Sequence, residues 1–162
     1  MEYTDLTSTY LRSVFPELDV FIAECEAKED IQPYGLFYNV LFRQICTLHE
    51  NGKDNEIKEY FDFVEELLLS AKDVPYSSRI VNPIENLVQT GFLEYCWDTI
   101  DLYTLATRYM GTATRVLFDK CSTYLHIPTD NDGKHFVYEG RVRCFTKRIY
   151  LRKRSACAGR RH

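Results

Sequence analysis

Few residues in this chain have types and spacing that could do chemistry. Cys46 and His49 are three apart, so on a helix they share a face and could offer two metal ligands. A closed zinc site needs about four ligands, and the competing reading is a core thiol beside a surface imidazole. The acidic stretch 56–66 places Glu59, Asp62 and Glu66 at i, i+3 and i+7, on one helical face. Carboxylate bundles that hold metals add Glu-x-x-His on facing helices, and the chain has no such pair. Glu94, Asp98 and Asp101 form a second stripe at i, i+4 and i+7. The sequence has no Gly-rich phosphate loop, H-E-x-x-H, G-x-S-x-G or C-x-x-C. With no nucleophile, base and stabiliser at recognisable spacing, the expectation is a protein that is not an enzyme. It would have no catalytic residues, no cofactor and no metal.

Charge suggests what the acidic stripes are for. All 24 acidic residues lie at or before Glu139, whereas residues 141–162 carry nine of the 20 Lys and Arg and no acid. An acidic body attracts a basic partner and repels nucleic acid and anionic lipid. Nucleic acid is therefore expected only through the basic end, where Phe145, Ile149 and Tyr150 interleave with the cations. Two acidic stripes on neighbouring helices would steer a basic ligand. Tyr60, Tyr95, Trp97 and Tyr103 are the aromatic residues expected to anchor it. The plain alternative is a pair of solvated polar faces over an aromatic core.

The elements that must position these residues read as helices through residue 125. Leu6, Tyr10, Leu11 and Val14 suit one face, and Pro16 opens a helix carrying Leu18, Phe21, Ile22 and Cys25 inward. Pro33 opens another, with Leu36, Phe37, Val40, Leu41, Gln44, Ile45 and Leu48, stopped by Asn51-Gly52. Asp54 is the expected cap of the next, which carries Ile57, Tyr60, Phe61, Val64, Leu67 and Leu68. Asn82-Pro83-x-Glu85 is an N-terminal signature for a helix running through Gly91 to Cys96. Two more follow, around Leu105 and Leu117, punctuated by Gly111.

Residues 1–128 thus predict one all-α domain of antiparallel helix pairs, in a HEAT-like or orthogonal bundle. Residues 129–151 open on a turn cluster and become β-rich, which predicts a short hairpin. Residues 152–162 predict a basic, disordered tail. Six scattered cysteines, an N-terminus without a basic or apolar leader and no long apolar run predict free thiols, a cytoplasmic location and no membrane contact.

Three segments carry a resemblance. Phe61-x-x-x-Glu65-x-Leu67-Leu68 is one; Asn82 to Val88 leading into Phe92-Leu93-Glu94 is the second. The third is Met110-Gly111-Thr112-Ala113-Thr114-Arg115. Together they resemble a family of small helical bacterial immunity proteins from polymorphic-toxin and contact-dependent inhibition loci. In that family the third segment reads L-G-P-x-S-(R/K), and this chain departs from it at Thr112 and Thr114. The resemblance covers about residues 35–125. It implies a protein that binds a cognate toxin domain and blocks it without catalysis. It does not specify the toxin. The rival expectation is a helical scaffold or adaptor with no toxin partner.

Overall fold

The computed structural model describes residues 2–29, 31–71 and 82–124, together with Val137–Tyr138 and Arg141–Val142. Its described part is mostly helical. A short turn at Tyr3–Asp5 precedes α1 (Ser8–Val14), whose first turn is capped by Thr7, its hydroxyl accepting from the Tyr10 N–H at 3.2 Å. Val14, expected inside, is exposed because α1 ends there; Phe15 turns inward instead. Pro16–Leu18 makes one tight turn into α2 (Asp19–Glu26), which buries Ile22 and Cys25.

Helix α3 spans residues 33–50 in three parts: Pro33–Gly35, a π-helical stretch Leu36–Phe42, then regular Arg43–Glu50. The sequence reading expected uniform α-helix here. In a π-helix residues bond five apart rather than four. That brings i and i+5 toward one face, so Leu36 with Leu41 and Phe37 with Phe42 all turn inward. Phe42 is thereby a core residue that 3.6-residue spacing left out. Gly52 ends the helix at φ 69°, a left-handed conformation that suits glycine.

The next helix, α4 (Asp54–Ser70), is the centre of the molecule. It buries Ile57, Tyr60, Phe61, Phe63, Val64 and Leu67 and packs against α3, α5, α6 and α7. At about 1.5–3 kcal/mol per large side chain, that face holds the bundle together. Asp54 does not cap α4. Lys53 occupies the cap position without a side-chain capping bond, and Asp54 accepts from the His49 ring at 3.0 Å.

Asn82 caps α5 (Pro83–Gly91) as read, its Oδ1 accepting from the Ile84 N–H at 3.0 Å and the Glu85 N–H at 3.4 Å. The helix does not run on to Cys96. It stops at Gly91, where a β-carbon would come within 3.3 Å of Leu87 and 3.5 Å of Phe37 and Tyr34. Phe92, fully buried, leaves helical geometry, and the chain tightens into a 3-10 turn, Leu93–Trp97. Thr99 then caps α6 (Ile100–Tyr109), its hydroxyl accepting from the Leu102 N–H at 3.2 Å. A two-residue connection leads to α7 (Thr112–Tyr124).

Aromatic rings fill the centre. Trp97 stacks on Phe118 at 4.4 Å and leans on Tyr103 at 5.0 Å; Phe92 meets Phe61 edge-on at 5.4 Å. Beyond α7, β1 (Val137–Tyr138) pairs antiparallel with β2 (Arg141–Val142), Val137 opposite Val142. The rest of the segment read as a hairpin, and the whole basic tail, lie outside the described residues. No helix among the described residues is long and apolar enough to cross a membrane.

Candidate partner-binding surface

The two residues nearest to a catalytic pair are occupied elsewhere. Cys46 is half-buried, and burial, followed by the nearby Glu50 and Asp98 charges, pushes its thiol up to about 11. At neutral pH it is a thiol, which is neither a nucleophile nor a ligand. The His49 ring faces Asp54, not Cys46. Cys25, Cys96 and Cys121 are buried free thiols. The Cys96 and Cys121 sulfurs turn back onto the carbonyl oxygens of Phe92 and Leu117, at 3.7 and 3.4 Å. Among the described residues no group of three or more His, Cys, Asp or Glu side chains could hold a metal ion.

The first acidic stripe stands as its spacing predicts. Glu59, Asp62 and Glu66 are exposed on the outer face of α4, with the buried face behind them fixing the helix. Asp62 is bridged by Lys58 at 2.5 Å. Glu59 and Glu66 make no ion pair among the described residues. Several other carboxylates are paired locally. Arg12 clasps Asp19 at 2.7 Å and Glu26 at 2.8 Å, and Arg43 takes Glu24 at 2.5 Å. The Arg12 fork holds the Glu26 carboxyl down at about 2.

The second stripe is not a stripe. Glu94 lies in the 3-10 turn, Asp98 in the bend after it, and Asp101 in the first turn of α6. The i, i+4, i+7 reasoning assumed one helix, and the break at Gly91–Phe92 removes it. The three carboxylates instead mark a corner. Tyr95, half-buried there, packs tilted against Tyr38 with ring centroids 4.2 Å apart and lies 5.6 Å from Phe42. Tyr103 is also half-buried. Trp97 is 1% exposed and belongs to the core, so it is no surface anchor. Tyr60 is equally buried, with its hydroxyl donating to Glu17 at 2.6 Å.

Sequence reasoning missed the tightest polar joint in the molecule. Glu65, on the inner side of α4, reaches the start of α7. Its carboxylate accepts from the Ala113 and Thr114 N–H groups, both at 2.8 Å, and from the Thr114 hydroxyl at 2.7 Å. These donors are the unsatisfied first-turn amides of a helix whose positive dipole end favours an anion. Partial burial pushes the Glu65 carboxyl up, and the hydrogen bonds from α7 outweigh that and hold it below the ordinary carboxylate range. Gly111 makes the approach possible, since a β-carbon there would overlap the Glu65 carboxyl group. Two of the quoted sequence segments, around Glu65 and Gly111, are thus halves of one clamp. The available signal was a glycine just before the helix start and a threonine in its first turn.

The arrangement thus sets exposed carboxylates on the outer face of α4 and the Glu65 joint on its inner side. A family model described as "Domain of unknown function (DUF7674)" matches residues 8–126, the span from α1 through α7. No curated protein and no solved structure matches the chain.

Proposed function

The chain belongs to the DUF7674 family, and from its surface we propose that it is an immunity protein that binds and neutralises a cognate toxin domain of basic charge. The single observation that carries this reading is the outer face of α4. Glu59 and Glu66 stand there exposed and, among the described residues, without ion pairs, on one face of one helix with Asp62 between them. Such a face raises the rate of encounter with a cationic partner, by 10–10³-fold for focused fields. Residence time comes from aromatic contact, for which Tyr95 and Tyr103 at the corner are the accessible groups. The bundle belongs to the same reading. Helices joined by as few as two residues fold back as antiparallel pairs, in a HEAT-like or orthogonal bundle. The paired Val137–Tyr138 and Arg141–Val142 support a short hairpin beside it. The protein works in the cytoplasm, where a toxin must be met.

The test is a toxin-protection assay with the C-terminal domain of a large secreted protein encoded beside the gene. Wild type should form a stoichiometric complex and protect the cell. Reversing Glu59, Asp62 and Glu66 to Lys should slow association and abolish protection in a protein that stays folded. Protection that survives reversal of both acidic patches would refute the charge-based interface. The absence of any complex would favour the adaptor reading.

A further inference from the structure

Helices α4, α5 and α7 pack on one another, and where they meet they leave an open groove of about 310 Å³. The Glu65 joint holds its two main walls together. Leu68 and Leu69 follow Glu65 at i+3 and i+4, and Val116 and Leu117 follow Ala113 at the same spacing. Each pair therefore stands one turn beyond the joint, on the joint's own side of its helix. These four side chains make the groove apolar. Leu117 is buried, but Leu69 is 70% exposed and Val116 54%. Single exposed apolar residues are ordinary. Two that border one apolar groove, on helices locked by hydrogen bonds, form a ready-made surface. Small-molecule sites span about 300–1,000 Å³ and enclose most of their ligand. This groove is open and at the lower limit, so it suits a protruding side chain of another protein.

Charge decides which protein. Glu85, in the first turn of α5, and Lys120, on α7, both line the groove and are exposed. They carry opposite charges, yet neither holds an ion pair among the described residues. A uniformly basic or uniformly acidic partner would meet one of them with its own sign. A two-fold rotation through the groove exchanges the walls instead. It turns Glu85 toward the partner subunit's Lys120, and Lys120 toward the partner subunit's Glu85, the reciprocal pairing of an isologous interface.

We propose that two copies of this chain dock through the groove. Leu69 of one protomer seats against Val116 of the partner subunit, and Glu85 faces the partner subunit's Lys120. The patch is small, so the dimer is weak and belongs at the low end of specific interfaces. Apolar burial drives it and survives moderate salt. The rim charges are exposed and add little strength, but they fix the register. The proposal does not rest on the immunity reading, whose residues Glu59, Asp62 and Glu66 come earlier on α4.

Sedimentation velocity of the full chain at physiological salt tests it. The sedimentation coefficient should rise with concentration from the micromolar range upward. A chain that stays monomeric to millimolar concentration would overturn the proposal and leave the groove to a foreign protein. Leu69→Asp and Val116→Asp, at exposed positions that leave the circular dichroism unchanged, should each weaken association about tenfold or more. Glu85→Lys alone and Lys120→Glu alone should also weaken it, because symmetry sets like charges together twice. An equimolar mixture of these two variants should associate about as tightly as wild type, since every rim contact is then between opposite charges. A mixture as weak as its components, or a dimer indifferent to all four changes, would overturn the proposal even if the chain dimerises elsewhere. No toxin enters any of these measurements, so failure of the immunity reading leaves them interpretable.

Discussion

The outer face of α4 and the corner between α5 and α6 are both acidic, yet different things stand behind them. On α4, three carboxylates ride on a regular helix, and the residues beneath them are apolar and fully packed. At the corner, three carboxylates are spread over a 3-10 turn, a bend and a new helix, and Trp97 lies between them in the sequence with its ring in the core. The first patch can change without disturbing the fold. The second is tied to it. A surface built for partner exchange needs the first kind of support, and a surface that must hold one conformation needs the second.

The strongest way to break this comparison is through Trp97. Trp97→Ala should cost about 3–5 kcal/mol, the usual loss for a buried large aromatic, because Phe118 and Tyr103 lose their shared neighbour. Chemical denaturation measures it. A loss no greater than that of an exposed residue would return Trp97 to the surface.

Next in size is the inner side of α4. Glu65→Ala should cost about 2 kcal/mol, a helix cap plus charge-assisted hydrogen bonds. Gly111→Ala should cost a similar amount, because the added methyl group displaces the same carboxylate. The double variant should be far less than additive, since both remove one joint. Additive losses in denaturation would separate the two residues.

The clamp also has a pH signature. The Glu65 carboxyl is held below its ordinary range in the folded state, so its stabilisation is present above the unfolded carboxylate range. It is lost as pH falls through the lower, folded value. Glu65→Gln should therefore lose most of its stability deficit relative to wild type in strong acid and show the full deficit at neutral pH. Melting curves across the acid range read this directly. A constant deficit would mean that the charge of Glu65 is not what matters.

The smallest stability effect belongs to the outer face. Reversing Glu59, Asp62 and Glu66 to Lys should shift the melting temperature by only about 2 °C, because these side chains are exposed and the one ion pair among them is solvent-screened. The same variant should bind a cationic partner more slowly, with dissociation little changed. A large drop in melting temperature would show the outer face to be structural too, and the contrast with the corner would collapse.

How much of this was legible in the sequence follows from range. The Asn82-Pro83-x-Glu85 start of α5 and the Gly52 stop of α3 are local devices: a side-chain oxygen reaching amides two and three residues on, and a residue tolerant of positive φ. The exposed face of α4 was equally plain, because one unbroken helix preserves the period. The corner was not. One residue pair, Gly91-Phe92, decides whether Glu94, Asp98 and Asp101 line up, and propensity rates that glycine as tolerable in a helix. Gly91 lies close against Phe37 and Tyr34, more than fifty residues upstream, where a β-carbon would meet each at 3.5 Å, and Phe92 beside it is fully buried.

By itself, then, the sequence determined the helical class, the places where many helices start, the segregation of acid from base along the chain and the open carboxylate face of α4. All of these depend on neighbours within a turn or two, or on composition. Only the tertiary structure decided that Trp97 and Tyr60 are core, that the second acidic set is a corner, that the middle of α3 opens into a π-helix, and that Glu65 caps α7 from forty-eight residues away. The physical reason is that burial and capping across elements depend on which surfaces meet. Periodicity shows which residues share a face of a helix, and says nothing about what that face will be packed against.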